Sequence, residues 1–337
     1  MSIVGCTARE YKLSGDIFLK TEEYEKATAQ YSAWAKREKY NPAPYVALSV
    51  SYYKENDSTK SAEYLKRAYE IDRDIAGEAV LFYEKLLGVK NYSWQVFYSG
   101  AKKDLNNGEF KRAEGFIKEA EEVKDSTYKA MSYVMHGKIF LEEGEEDKAF
   151  NCFDKALDFD EENAEAYLYS GEIFTNRDQY DKAVFNLKEA ISIKPDIFLG
   201  HKLLGQNYLR AKKYDMAIEA FEKALSIKNN DRVVMYKLAA AYLEKEDYSR
   251  ASSIAQTILN LQEIESDKKA EAYIILGMAD IYEEKYDEAA EVLNKAIEAD
   301  SNNCDSYQLL ALAYSKAGKV NLSKEFSQKW EECVEKR

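Results

Sequence analysis

Apolar and small residues recur along the chain at spacings of three and four positions, in pairs of segments that short polar stretches separate. In one pair, the first segment carries Leu204 and Tyr208, and the second carries Ala217, Phe221 and Ala224. This spacing is that of an amphipathic α-helix. The polar stretches KKYD and KNND, which follow the two segments, are typical of turns and helix ends. The pattern therefore predicts two helices packed as a hairpin.

The hairpin pattern repeats at a fixed distance. Residues 180–196 read YDKAVFNLKEAISIKPD, residues 214–230 read YDMAIEAFEKALSIKNN, and residues 286–302 read YDEAAEVLNKAIEADSN. Tyr180, Tyr214 and Tyr248 stand at successive intervals of 34 positions. A period of this length indicates a repeat array, in which each unit packs only against its neighbours.

The repeated pattern resembles the tetratricopeptide repeat, whose signature orders an aromatic residue, Leu-Gly, Tyr, Ala, an aromatic residue, Ala and Pro. One copy places this signature on Tyr167, Gly171, Phe174, Ala183, Leu187, Ala190 and Pro195. The resemblance implies an all-α fold, a right-handed superhelical solenoid of stacked helical hairpins. After a tail at 1–7, it covers nine copies, at 8–41, 42–75, 94–127, 130–163, 164–197, 198–231, 232–265, 270–303 and 304–337.

Two stretches break the phase of the copies. Residues 76–93 fit no complete copy, but their apolar residues predict an orphan helix that interrupts the stack between 8–75 and 94–337. This helix is interpreted either as half of a decayed repeat or as a wedge that changes the direction of the superhelix. The second break is the four extra residues SDKK at 266–269, which predict a lengthened loop.

Charge and hydropathy limit the classes of partner. The formal net charge is −13, and no dense cluster of Lys and Arg offsets it, so nucleic acid is not an expected partner. No stretch approaches the roughly 18 apolar residues of a membrane span. The nearest is the short apolar run at 273–282.

Residues suited to catalysis are few. The two histidines, His136 and His201, fall on positions of the first helix that serve packing. The acidic run 158–163 resembles a calcium loop, but Asn163 and Tyr169 stand where an EF-hand loop needs glycine and glutamate. Phosphate-binding loops, HExxH and CxxC motifs are absent from the sequence. The sequence therefore predicts a protein that is not an enzyme and holds no cofactor or metal.

Binding of a protein partner is the function that the resemblance implies. In tetratricopeptide repeat proteins the first helices line a concave groove that holds a peptide or a helix. Some apolar residues at these positions are alternatively expected to pack against neighbouring repeats. The candidate groove residues are Met131, Met135, Lys138, Tyr169, Glu172, Lys202, Gln206, Tyr236, Lys237, Ile274, Ile275, Met278 and Tyr282.

One subclass of the family clamps the acidic C-terminus of heat-shock chaperones with a Lys, Asn, Asn, Lys, Arg set. The corresponding positions here hold Val134, Lys138, Tyr169, Leu199 and Leu203. The clamp is absent, which argues against a role as chaperone adaptor. A scaffold that assists assembly of a protein complex, a soluble cytoplasmic adaptor or regulator, and a non-catalytic subunit of an enzyme complex stay open.

The N-terminal residues resemble a bacterial lipobox. Ile-Val-Gly directly precedes Cys6, which would be the acylated residue. Only five residues stand before Cys6, so a working signal would need a longer leader than this sequence contains. With a lipid on Cys6 the protein would sit on the extracytoplasmic side of a bacterial membrane. If IVGC is instead an ordinary apolar terminus, a cytoplasmic location is expected.

The remaining cysteines, Cys152, Cys304 and Cys333, show no spacing of a disulfide framework, and they are expected to be unpaired. Near the C-terminus, Phe326, Trp330 and Val334 recur at every fourth position as an apolar stripe. No further repeat follows this stripe in the sequence. It is expected either to fold back on the last hairpin or to mediate self-association.

Overall fold

The computed structural model describes residues 7–122, 125–261 and 264–336. Within these ranges the secondary structure is nineteen α-helices without a strand, so the predicted all-α fold is confirmed. The helices are α1 (Ala8–Lys20), α2 (Tyr24–Arg37), α3 (Ala43–Lys54), α4 (Ser58–Ile71), α5 (Arg73–Leu87), α6 (Tyr92–Asn106), α7 (Phe110–Glu121), α8 (Ser126–Glu142), α9 (Glu146–Phe159), α10 (Ala164–Asn176), α11 (Tyr180–Ile193), α12 (Phe198–Arg210), α13 (Tyr214–Ile227), α14 (Arg232–Glu244), α15 (Tyr248–Leu259), α16 (Ser266–Tyr282), α17 (Tyr286–Ala299), α18 (Cys304–Lys316) and α19 (Val320–Glu335).

All of these helices except α5 form hairpins of two consecutive helices, from α1–α2 to α18–α19. Within each unit, second helices also pack on the first helix of the following hairpin, as α2 does on α3 and α13 does on α14. The chain divides into two compact units, Met1–Tyr169 and Ser170–Arg337. Each unit is a repeat solenoid in which packing is local.

Close packing within a hairpin depends on a glycine of the first helix. A Cβ atom on Gly137 would lie 2.5 Å from the Phe153 ring, and one on Gly205 would lie 2.6 Å from the Phe221 ring. Carbon atoms in contact are ordinarily about 3.5–4.0 Å apart. The ring therefore occupies the volume that a Cβ would fill, and this sets the distance between the helices. The same arrangement pairs Gly15 with Tyr31, Gly171 with Leu187 and Gly277 with Leu293.

The turn between the two helices of a hairpin has a constant backbone feature. One residue there adopts the left-handed conformation and ends the first helix, as Lys212 does at a φ of 56°. Glycine tolerates this conformation best, but only three of these turns use it. The residues are Glu22, Asn56, Gly108, Gly144, Asp178, Lys212, Glu246, Glu284 and Gly318.

Helix α5 differs from the predicted orphan helix in its range and its position. It begins at Arg73, because the Asp72 side chain accepts a hydrogen bond from the Ile75 amide at 3.0 Å and caps the helix. It ends at Leu87 and is followed by Gly88, which adopts the left-handed conformation. Helix α5 contacts α3, α4 and α6, while α4 also packs directly on α6. The prediction that this helix interrupts the stack is therefore wrong.

The four extra residues at 266–269 do not form the predicted loop. They are the first turn of α16, which begins at Ser266. Lys268 pairs with Glu271 at 2.7 Å, three positions along the same helix, and its carbonyl accepts a hydrogen bond from the Tyr236 hydroxyl. These contacts favour a longer helix over a loop.

A disulfide joins Cys304 to Cys333, which corrects the expectation that both are unpaired. Cys304 begins α18 and Cys333 lies in the last turn of α19. In a hairpin the start of one helix lies beside the end of the next, and the two Cα atoms are 5.6 Å apart. Cys152 is a free, buried thiol.

The C-terminal apolar stripe packs only in part on its own hairpin. The Phe326 ring lies 5.6 Å from the Tyr314 ring of α18, and Trp330 is half-buried. Val334 stays 49% exposed, and none of the residues of α19 is buried. Self-association through this stripe stays a prediction.

Replacing Gly137 by Ala is expected to destabilise the protein, because the ring of Phe153 lies where the new Cβ must go. Overpacking of this kind costs about 1–3 kcal/mol, more than the gain of at most about 1 kcal/mol from placing Ala in a helix. The measurement is the midpoint of urea unfolding, followed by far-ultraviolet circular dichroism.

The matched control is Gly77→Ala on α5, where an added Cβ meets nothing within 4 Å. Its urea midpoint is expected to stay constant or to rise, because placing Ala in a helix raises the free energy of unfolding by up to about 1 kcal/mol. Equal losses of stability in both variants would contradict the packing role of Gly137.

Candidate protein-binding surface

The side of each first helix that turns away from its hairpin partner forms a surface, which we call the first-helix face. In the unit Ser170–Arg337 this face is carried by α12, α14, α16 and α18. Lys202 and Gln206 of α12 lie on it one turn apart, and both are half-buried. Gly205 of the same helix already supplies the contact with α13. These polar residues are therefore not needed for hairpin packing.

Three predicted residues lie at the first-helix face of the unit Met1–Tyr169. The Lys138 ammonium lies 5.2 Å from the centre of the Tyr169 ring, at cation–π distance. Tyr169 stacks on Phe153 at 5.5 Å. Met131, the second residue of the copy 130–163, is 37% exposed. The structure thus brings Lys138 and Tyr169 together and leaves Met131 accessible.

Two of the predicted residues are not accessible. Met135 is only 2% exposed and belongs to the core of its unit, and Ile275 is 9% exposed. Each stands two positions before the glycine that packs on the second helix, a place that turns inward. The prediction that Met135 and Ile275 line an open groove is wrong for this reason.

Helix α16 presents the other apolar candidates. Ile274 packs against the cluster that contains Leu310, and Met278 is half-buried. Tyr282 is 57% exposed but stacks on Tyr248 of α15 at 5.1 Å. Tyr282 therefore lies near the hairpin turn, and Met278 lies one turn before it on α16 and is half-buried.

Cationic side chains collect on α12 and α14. Burial, and then the positive charges of Arg210 and Lys202, lower the pKa of Lys237 below its usual range. Arg210 pairs with Asp178 at 2.6 Å. Beside Lys237, Tyr236 is half-buried and donates its hydroxyl hydrogen to the Lys268 carbonyl. Glu172 of α10 is half-buried.

The first-helix face of the N-terminal hairpins is filled by α5. Val46, Ala47 and Val50 of α3 are fully buried, and α5 packs against α3. A helix without a polar stripe is typically buried on most of its sides. The sequence APYVALSVSYY of α3 lacks charged residues and contains this signal.

A hydrogen-bonded carboxylate fixes α5 in this place. Asp16 of α1 accepts the Tyr83 hydroxyl of α5 at 3.1 Å and the Tyr31 hydroxyl of α2 at 2.8 Å. The Lys12 ammonium lies 4.6 Å from the centre of the Phe82 ring. Lys12 and Asp16 of α1 are thus in contact with another helix of the same chain.

Both histidines have packing and hydrogen-bonding roles. His201 contacts the Pro195 carbonyl through Nε2 at 2.8 Å. His136 contacts Glu121 through Nδ1 at 2.6 Å and stacks on Phe140 at 4.5 Å. In the part of the chain that the structure describes, no group of three or more His, Cys, Asp and Glu side chains is placed to hold a metal ion.

Two further predictions concern the membrane. Cys6, the lipidation candidate, lies outside the described residues. Among the described helices, none combines the length and the apolar character that crossing a membrane requires.

Comparisons with protein families agree with this geometry. A model of the C-terminal ARM domain of tetratricopeptide repeat protein 21 matches residues 101–230. Three tetratricopeptide repeat models match 208–263, 292–325, and both 43–75 and 270–303. The stacked hairpins define the class of helical-repeat proteins. The chain belongs to the tetratricopeptide repeat family.

Solved structures of low sequence identity resemble the chain, and the first of these shares its fold. The chain is 21% identical to pilF of Pseudomonas aeruginosa over 66% of this chain and 98% of that chain, with a TM-score of 0.53. A tetratricopeptide repeat protein from Parabacteroides merdae is 17% identical over 81% and 98%, with a TM-score of 0.47. YrrB, described as a TPR protein with an unusual peptide-binding site, is 22% identical over 54% and 91%, with a TM-score of 0.46. No curated protein sequence matches the chain significantly.

Replacing Tyr83 by Ala is expected to free the first-helix face of α3. The change removes a buried ring and one hydrogen bond to Asp16, and loss of a large core side chain costs about 3–5 kcal/mol. Amide hydrogen exchange of α3, measured by mass spectrometry, should therefore accelerate.

The control on the same helix is Leu81→Ala, because Leu81 is exposed. It should change stability by no more than about 0.5 kcal/mol and leave the exchange of α3 unchanged. The role assigned to Tyr83 would be refuted by equal acceleration in the two variants.

Proposed function

We propose that the protein is a non-catalytic scaffold that binds a peptide or helix of a partner protein on the first-helix face of the unit Ser170–Arg337. The fold supports this proposal, because tetratricopeptide repeats are protein-interaction modules. The two histidines also have structural contacts, as described above, which is consistent with a role without catalysis.

The observation that carries the proposal is the position of α5. In the N-terminal hairpins the first-helix face packs against an amphipathic helix of the same chain, through Val80 and Tyr83. A surface of this kind therefore accommodates a helix in this protein. In the unit Ser170–Arg337, Ile274 and Met278 on the same face are only half-buried. A helix with an apolar stripe matches that surface.

We further propose that the scaffold is a bacterial lipoprotein, anchored through Cys6 on the extracytoplasmic side of a membrane, where it assists assembly of a protein complex. The lipobox-like sequence IVGC supports this location. The disulfide between Cys304 and Cys333 supports it independently, because disulfides persist in oxidising compartments. A soluble cytoplasmic adaptor is the alternative.

Placing a charge at Met278 is expected to abolish capture of the partner. A carboxylate at this half-buried position would lose its hydration against an apolar side chain of the partner, and this desolvation makes binding less favourable. The measurement is crosslinking in cells with a photoreactive residue elsewhere on α16, comparing wild type with Met278→Glu by mass spectrometry.

Met216→Glu is the matched control, since Met216 is exposed on the second helix α13. Its crosslinked partners should equal those of wild type. Circular dichroism must show that both variants fold. Retention of the same partners by a folded Met278→Glu variant would exclude this part of the surface.

The lipid anchor is tested on the product of the full-length gene in a bacterial host. Metabolic labelling with a fatty-acid analogue is expected to mark the wild type but not Cys6→Ser, because the thiol is the only attachment point proposed. A wild-type protein without label would favour the cytoplasmic alternative.

A further inference from the structure

Two apolar side chains of α1 are exposed to solvent on one side of the helix. Gly15 of α1 packs on the Tyr31 ring of α2. Leu13 and Ile17 stand two positions before and two positions after Gly15, one turn apart on a side that faces away from α2. Leu13 is 61% exposed and Ile17 is 52% exposed. We call these two residues the α1 apolar strip.

The corresponding positions of other first helices face a preceding hairpin. On α12 they hold Leu203 and Asn207, and both residues are buried. The Asn207 amide donates a hydrogen bond to the Thr175 hydroxyl of α10, the preceding first helix, at 2.7 Å. The buried residues at these positions on α8 and α16 are Met135, Ile139, Ile275 and Ala279. The α1 apolar strip therefore occupies a side of the helix that another helix covers elsewhere in this protein.

The α1 apolar strip is distinct from the first-helix face. Lys12 and Asp16 lie on the neighbouring side of α1, which α5 meets. The Lys12 ammonium lies against the Phe82 ring, and Asp16 accepts the Tyr83 hydroxyl. Helix α2 and helix α5 thus account for two sides of α1, and they leave the strip uncovered.

Helix α19 is poorly suited to cover the strip, although it is a second helix. On α13, Leu225 packs on the cluster that contains Met235 of α14, and Ile218 lies two turns before Leu225 on the same side. Counted from the start of each helix, the same places on α19 hold Lys324 and Glu331, and both are exposed. Burying these two charges against an apolar strip costs desolvation free energy. A head-to-tail contact between α19 of one copy and α1 of another is therefore disfavoured.

The pattern of residues along α1 is instead complementary to itself. Leu13 and Ile17 lie symmetrically about position 15, and so do Glu10 and Lys20, which are also exposed. When two copies of α1 pair in antiparallel orientation, Leu13 of one copy meets Ile17 of the other. Glu10 of one copy then stands level with Lys20 of the other, and their opposite charges attract.

We infer that the α1 apolar strip is a contact between two copies of this chain, which pair through antiparallel α1 helices across a twofold axis. Leu13 and Ile17 form the apolar centre of the contact, and Glu10 and Lys20 form its charged rim. Both copies use the same patch, so association stops at a dimer and does not continue into a filament. Each copy contributes one helix, and an interface of this small size gives a weak dimer that depends on concentration.

Sedimentation equilibrium over a range of protein concentrations tests the inference. The wild type is expected to change from the mass of one chain to the mass of two, whereas Ile17→Glu should keep the mass of one. A carboxylate in the apolar centre would lose its hydration on pairing. Circular dichroism should show that Ile17→Glu folds, because Ile17 is exposed. The matched control is Val334→Glu, at an exposed apolar position of α19, and it should dimerise as the wild type does.

Reversal of the rim charges tests the antiparallel geometry. Lys20→Glu places two carboxylates level with each other at both ends of the pair, and it should weaken the dimer about tenfold. Combining Lys20→Glu with Glu10→Lys brings opposite charges together again and should restore most of the affinity. The Glu10 carboxylate also accepts the Thr7 amide at the start of α1. The double variant loses this cap, so a restored dimer cannot result from a more stable helix.

A wild type that keeps the mass of one chain at every concentration would overturn the inference, and so would a dimer that Ile17→Glu leaves intact. Dissociation by Val334→Glu alone would place self-association at the C-terminal stripe instead. A dimer that Ile17→Glu dissociates but the double charge reversal does not restore would overturn the antiparallel pairing. None of these outcomes depends on the partner-binding surface proposed for the unit Ser170–Arg337.

Discussion

The contact between a glycine of the first helix and a large side chain of the second governs the geometry of most hairpins in this protein. Because Gly205 has no Cβ, the Phe221 ring lies directly against the α12 backbone. That close approach fixes which side of α12 turns toward α13. Of the other sides of α12, one then packs against the preceding hairpin and another forms the first-helix face. The burial of Leu203 and the accessibility of Lys202 both follow from this single contact.

The first-helix face of each unit carries different residues. At α3, in the unit Met1–Tyr169, it includes Val46 and Val50, which are fully buried in a helix against which α5 packs. At α12 and α14 it carries cations and an amide in addition to apolar residues, and no described helix of the chain covers them. The apolar residues Val46 and Val50 of α3 are thus buried inside their unit, whereas Lys202 and Gln206 of α12 are half-buried.

The hairpins were predictable because their signals are local. Period, turn residues and the glycine positions lie within one copy of 34 residues, and the structure follows them. The burial of Met135 was less predictable, because it depends on the neighbouring hairpin rather than on its own. The pairing of Cys304 with Cys333 was less predictable, because it depends on the start of α18 lying beside the end of α19. The position of α5 was not predictable from local signals, because it depends on a tertiary contact between Tyr83 and Asp16, which are far apart in the sequence.

The disulfide between Cys304 and Cys333 limits how α19 can open from α18. Local opening costs least for elements that have few buried contacts. Helix α19 has no buried residue, so by itself it would detach at little cost. Its last turn is bonded to the first residue of α18, so α19 cannot separate from the array by itself. A proteolytic cut in the turn at Gly318 would therefore leave α19 covalently attached to α18.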